Sequence, residues 1–206
     1  MIIAEHKVIF IHIPKNAGTS IKSYFGYDLT SKEKFKHSTI YEIKKEYPDL
    51  YKSYKKFAIV RNPYDRMISW YAYLSGFRWN NDAAWQLMSD DFKNSYFNDF
   101  KNFIKHPNSD NWIDTRKKLL IDAKWGEKWR LNLLKPQVYW IDKTVIILKY
   151  ENLKEELNNL FKKEIDLPIE NKTIREHYLK YYDTESLNMV YDKYKEDFEK
   201  FNYKKL

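Results

Sequence analysis

The run Pro14-Lys15-Asn16-Ala17-Gly18-Thr19-Ser20 places a flexible cation, a glycine and two hydroxyls directly after the apolar stretch Val8-Ile9-Phe10-Ile11-His12-Ile13. A strand that turns into a helix in this way suits a phosphate-like anion. The first N–H groups of a helix have no intrahelical partners and lie at the positive end of its dipole, so an anionic group can complete them. Lys15 adds a mobile charge, and Thr19 and Ser20 add donors. A P-loop would need two glycines separated by four residues, with Lys and then Ser or Thr after the second. Here Lys15 precedes the only glycine of the run. This order departs from the P-loop of a nucleotide kinase, which stays only as a rival reading, and the plainest alternative is a buried strand followed by an ordinary helix cap.

A second stretch has the same design. Phe57-Ala58-Ile59-Val60 leads into Arg61-Asn62-Pro63-Tyr64-Asp65-Arg66-Met67-Ile68-Ser69-Trp70-Tyr71. Pro63 fits the first turn of a helix, where its missing N–H is not needed. Arg61 then stands at the carboxyl end of a strand, and Ser69 lies about two turns into the helix on the face of Arg66. A guanidinium fork and a hydroxyl could hold one phosphate. The structural alternative is a surface ion pair of these arginines with Asp65 or a nearby carboxylate.

These residues carry a resemblance. The order Pro-Lys-x-x-Gly-Thr-Ser is similar to the 5′-phosphosulfate loop of sulfotransferases that use 3′-phosphoadenosine 5′-phosphosulfate (PAPS). Arg-Asn-Pro-x-x-Arg-x-x-Ser-x-Tyr resembles their 3′-phosphate site. Tyr150-Glu151-Asn152-Leu153, after the strand Val145–Lys149, resembles a segment of the carbohydrate-type members, and Leu134-Lys135-Pro136-Gln137 resembles their Pro-Gln element. The closing stretch from Tyr181 to Tyr203 fits as well. The resemblance covers nearly the whole chain, least from Gly76 to Lys135, and points to the branch that includes the heparan sulfate 2-O-sulfotransferases. It implies PAPS as donor and no metal. It further implies that Lys15 meets the departing phosphate oxygen, that Asn16, Ala17, Gly18, Thr19 and Ser20 hold the 5′-phosphosulfate, that Arg61 and Ser69 hold the 3′-phosphate, and that Tyr150 lies near the adenosine. A noncatalytic nucleotide-binding module remains the other alternative.

Sulfuryl transfer needs a base for the acceptor hydroxyl, and a pKa near neutrality favours histidine. Among five histidines, His37 follows the first strand-helix unit and opens Lys36-His37-Ser38-Thr39-Ile40 before a helix, and the resemblance places a catalytic histidine at about this position. Its structural alternative is a solvated residue beside a helix cap. His12, inside the apolar run, reads as a core or sheet-face residue more than a substrate contact. His6, His106 and His177 have no motif around them.

The elements that position these groups follow from the apolar runs. Strands ending near Ile13, Val60 and Lys149, each followed by a helix, give an α/β fold, a P-loop-like three-layer domain with a central parallel sheet flanked by helices. Anion sites in such sheets lie beyond the carboxyl ends of the strands, where Lys15, Arg61 and Tyr150 all fall. Helices are expected over Thr19–Tyr24, Thr39–Glu46, Pro63–Leu74, Leu153–Lys162 and Thr184–Phe201. Residues 76–140 are expected to form a mainly helical, Trp-rich insertion on the acceptor side, and Asn171-Lys172-Thr173 could close over the nucleotide.

One domain over residues 1–206 agrees with the 206-residue length, the scarcity of Gly and Pro and the lack of repeats. No run is long and apolar enough for a membrane span, and no leader is visible, so a soluble, cytoplasmic protein is expected. No cysteine is present, which excludes disulfides and thiolate metal sites. Asp90-Asp91 reads as a helix cap rather than a ligand set. All seven tryptophans, Trp70, Trp79, Trp85, Trp112, Trp125, Trp129 and Trp140, lie in one third of the chain. Most suit a core, and some could pack against sugar rings with Tyr71, Tyr73 and Phe77. A net charge of +8 favours anionic ligands, and an acidic polysaccharide acceptor fits. Nucleic acid is not expected, since the basic residues are scattered among acids without a basic run.

Overall fold

The computed structural model describes residues 1–27, 37–75, 99–105, 134–168, 170 and 175–206. The chain forms two compact units, Met1–Asn62 with Pro136–Lys172, and Pro63–Lys135 with Thr173–Leu206.

The first unit is built on a four-stranded mixed sheet flanked by helices. Its strands are β1 (Ile2–Ile3), β2 (Val8–Ile11), β3 (Lys55–Val60) and β4 (Val145–Lys149), in the spatial order β1-β2-β3-β4. β2, β3 and β4 run parallel, with Phe10 opposite Phe57 and Ile59 opposite Leu148. Every residue of β2 is buried, which is why its sequence is continuously apolar rather than alternating. One sheet face, carrying Val8, Phe10, Phe57, Ile59 and Leu148, packs with Ile21 of helix α1 (Gly18–Tyr24) and with Leu153 and Leu157 of helix α6 (Leu153–Phe161). The Phe10 and Phe57 rings stack at 5.0 Å.

Two features of this sheet differ from the sequence expectation. β2 stops at Ile11 rather than near Ile13, because the chain turns there, with the Ile13 N–H donating to the Ile11 carbonyl ahead of Pro14. β1 is an added antiparallel edge strand. The 3-10 turn Ala4–His6 and a left-handed Lys7 (φ 50°) fold it back, so that Ile2 faces Ile9.

The β2-to-β3 crossover carries α1, α2 (Ile40–Glu46) and α3 (Pro48–Ser53). Thr39 is the cap of α2 rather than its first residue, sharing a capping box with Glu42. The short α3 was not expected from sequence and starts on Pro48, whose fixed φ suits a first turn. α6 ends at Phe161 because Lys162 takes a left-handed φ of 55°.

The second unit contains α4 (Pro63–Leu74), α5 (Phe100–Lys105), α7 (Thr184–Lys193) and α8 (Lys195–Phe201). α4 has the expected bounds, and Tyr64, Met67, Ile68 and Tyr71 form its buried stripe at helical spacing. The single helix expected over Thr184–Phe201 is instead two. Tyr194 (φ −118°, ψ 23°) ends α7 and caps α8, and its buried hydroxyl donates to the Leu134 carbonyl at 3.0 Å. A side chain fixed in this way holds the break. α7 opens with a capping box between Asp183 and Ser186. Most of the expected 76–140 insertion lies outside the described residues.

Candidate active site

Because β2, β3 and β4 are parallel neighbours, their carboxyl ends share one edge of the first unit, and the residues that follow them meet there. Arg61 follows β3 directly. Its guanidinium carbon lies 4.1 Å from the centre of the Tyr150 ring, which follows β4, and its Nη1 donates to the carbonyl of Lys15, in the turn after β2, at 3.3 Å. Arg61 is only 7% exposed, and the contact of its guanidinium with the Tyr150 ring is close enough for a cation–π attraction. The structure thus brings together Lys15, Arg61 and Tyr150, three of the residues singled out in the sequence.

The turn before α1 holds two residues in left-handed conformations, Lys15 (φ 69°) and Ala17 (φ 57°). For residues other than Gly such backbone is costly and persists where the surroundings impose it. Here the surroundings include Asn16. Its side chain is 1% exposed, and Nδ2 donates to the Ile59 carbonyl and to Gln137 Oε1, both at 2.7 Å. Asn16 therefore faces the sheet with its side chain, which leaves only its backbone for a ligand. Gly18 is required for a different reason. A Cβ at this position would lie 1.7 Å from Nε2 of His12, so the His12 ring occupies the space a side chain would need. Ser20 is buried, and its hydroxyl accepts from the Glu170 N–H at 3.2 Å. Thr19 is half-buried on the first turn of α1.

His37 lies beside this turn. Its Nδ1 is 3.0 Å from the His12 carbonyl oxygen, and its ring is 4.2 Å from the His12 ring and 6.4 Å from that of Trp140. A carbonyl can only accept, so a hydrogen bond here has Nδ1 as its donor, and in the neutral ring Nε2 is then the acceptor nitrogen. His12, 8% exposed and stacked on Phe10 at 5.6 Å, is a packed residue, as its position in the apolar run suggested.

Gln137 is the main site residue that residue-level reasoning missed, although it stands in the Pro-Gln element. It is fully buried, and its amide pairs with both the N–H and the C=O of Arg61 at 2.9 Å while accepting from Asn16. Glu170 was also missed.

Ser69 belongs to the second unit, half-buried on α4. In that unit Arg66 is 2% exposed, with Nη1 donating to the Lys135 carbonyl at 3.1 Å, so it is no surface ion-pair residue. Asp65 pairs with Arg175. Trp70 and Trp140 are both core residues. Trp79, Trp85, Trp112, Trp125, Trp129, Phe77, Asp90, Asp91, His106 and the segment 171–173 lie outside the described residues. Among the described residues, no helix is long and apolar enough to cross a membrane, and no three His, Cys, Asp or Glu side chains gather as a metal site.

A family model described as "Sulfotransferase family" matches residues 1–204. No match was found among curated proteins or among solved structures.

Proposed function

Because the chain belongs to the sulfotransferase family, we propose that it moves a sulfuryl group from PAPS to a hydroxyl of a carbohydrate acceptor, without a metal. The observation that carries this reading is the meeting of Arg61, Tyr150 and the Lys15 turn at the strand ends. It supplies two cationic groups on adjacent strands for a donor with two separate phosphate positions. The family match spans both compact units, which supports treating residues 1–204 as one sulfotransferase domain.

The step is an in-line displacement. The acceptor oxygen attacks sulfur, its proton passes to Nε2 of His37, and the bond between sulfur and the bridging 5′-phosphate oxygen breaks, giving a sulfate ester and 3′-phosphoadenosine 5′-phosphate. Lys15 neutralises the charge that grows on that oxygen, and the backbone of Asn16 to Ser20 holds the 5′ end. Arg61 holds the 3′-phosphate. Ser69 is assigned to the same phosphate on its motif spacing alone, and Tyr150 is assigned to the adenosine side on resemblance. The acceptor assignment rests on the net charge of +8, which favours an acidic polysaccharide.

Calorimetric titration with 3′-phosphoadenosine 5′-phosphate in the absence of metal tests the donor site. Micromolar binding, about −8 kcal/mol, with weak ATP binding and a large loss in Arg61→Ala is the expected result. Tight, Mg²⁺-dependent ATP binding would return the nucleotide kinase. Bisphosphate binding with sulfuryl transfer to a tyrosine or lipid and to no glycan would change the acceptor, and binding with transfer to none of these would leave a binding module.

A further inference from the structure

The flank of β3 beyond its last strand pairings is hydrogen-bonded by side chains. Ile59 and Arg61, two residues apart, point their backbone polar groups to the same side. The Ile59 carbonyl accepts from Asn16, and the Arg61 N–H and C=O are both paired by the amide of Gln137. A side-chain amide that donates to and accepts from one residue does what a neighbouring strand's backbone would do. The Gln137 amide, which also accepts from Asn16 Nδ2 at 2.7 Å, continues the sheet ladder to the residue that carries the guanidinium.

We propose that Gln137 is a positioning residue of the donor site, which acts through Arg61 by locking its backbone to the phosphate-binding turn. This rests on the donor reading above. Gln137 has 0% exposure and its polar atoms face Arg61 and Asn16, so it needs no contact with the nucleotide. Its effect is geometric. With Arg61 N–H and C=O fixed on one side and the guanidinium lying on Tyr150 and bonded to the Lys15 carbonyl, the anchors for the two ends of the donor are held at one separation before it binds, which lowers the ordering cost of binding.

The test is a double-mutant cycle on 3′-phosphoadenosine 5′-phosphate affinity with Gln137→Met, which keeps side-chain length and loses the hydrogen bonds, and Arg61→Ala. Gln137→Met alone should weaken binding about ten- to hundred-fold. In the Arg61→Ala background it should change affinity less than about two-fold, because the residue it acts through is gone. An equal loss in both backgrounds would mean a general structural role and overturn the proposal. If Gln137→Met does not fold, Gln137→Asn serves instead, since it stays uncharged and draws the amide back from the Arg61 N–H and C=O. The same pattern in the cycle is expected of it. Wild-type protein that fails to bind the bisphosphate would end the donor reading and the donor-site part of this role, leaving the hold of Gln137 on the Arg61 backbone to be tested by itself. In that event amide hydrogen exchange decides, with selectively faster exchange at the Arg61 N–H in the Gln137 variant sustaining the positioning role and unchanged exchange overturning it.

Discussion

Both units bury polar side chains, Arg66, Ser186 and Asp197 in the second among them, but their cores are built differently. In the first, Asn16, Ser20, Arg61 and Gln137 are buried close to the strand ends, and each side chain is held by a hydrogen bond. In the second, the core is a cluster of rings that includes Tyr64, Tyr71, Phe100, Tyr182, Tyr194 and Phe198, with Phe100 and Tyr182 4.7 Å apart and Tyr64 and Phe198 4.8 Å apart. Two of these tyrosines, Tyr182 and Tyr194, bring a hydroxyl inside that finds a backbone carbonyl. The Tyr182 hydroxyl donates to the Tyr64 carbonyl at 2.9 Å, and burial pushes its pKa well up, so that it stays a donor. The lesson concerns tolerance. In a polar network the direction of each bond decides what fits, since a buried group left unpaired costs its full desolvation, whereas an aromatic core responds chiefly to volume.

The largest expected effect tests the polar side of this contrast. His37→Ala should lower kcat by about 10²- to 10⁴-fold and leave bisphosphate affinity within about two-fold. Unchanged turnover would remove His37 from the chemistry. Next comes Gly18→Ala, whose Cβ would overlap the His12 ring. A loss of about 1–3 kcal/mol in unfolding free energy is expected for such overpacking, together with weaker bisphosphate binding. Adding His12→Ala should restore part of both, and no restoration would mean that the ring is not what excludes the side chain.

On the aromatic side, Tyr194→Phe keeps the volume and removes the bond to the Leu134 carbonyl. Denaturant unfolding should show a loss of about 1–2 kcal/mol with bisphosphate affinity unchanged. A large affinity loss would erase the contrast between the units. The smallest effect is at Asp183, whose carboxyl is held below its ordinary value of 3.8 by Lys101 and by Ser186 at the start of α7. A lowered folded value means that this contribution is present above the unfolded pKa and is lost as pH falls through the folded one. Melting temperatures compared at about pH 5 and pH 3 should therefore diverge less in Asp183→Asn than in the wild type, and an unchanged difference would show that this carboxylate adds nothing.

Much of the first unit was legible because its signals are local. Apolar runs that end in Lys15, Arg61 and Tyr150 fix both the strands and the edge on which those residues appear, and Pro63 with a helical stripe fixes α4. The breaks were not legible. A tyrosine within a helical period carries no stop signal, so the division at Tyr194 depends on a hydrogen bond to residue 134. The role of Gln137 depends on partners 76 and 121 residues away, and no spacing rule reaches so far. Likewise, the bonds that turn the Asn16 side chain toward the sheet reach residues 59 and 137, beyond anything its motif shows.

The sheet's pairing distances bear on the order in which it assembles. Ile11 meets Ala58, 47 residues on, whereas Val60 meets Lys149, 89 residues on, with most of the second unit threaded between them. Closing a loop nearly twice as long costs only about 0.6 kcal/mol more, yet long-range parallel pairing is slow, and its entropy is spent before any contact repays it. Loop closure thus favours the β2–β3 pairing by a small margin, and it is β4, across the longer loop, that brings the ring lying against Arg61. A chain halted one step short has its turn and its arginine, lacks that ring, and presents the bare edge of β3 to whichever strand reaches it first.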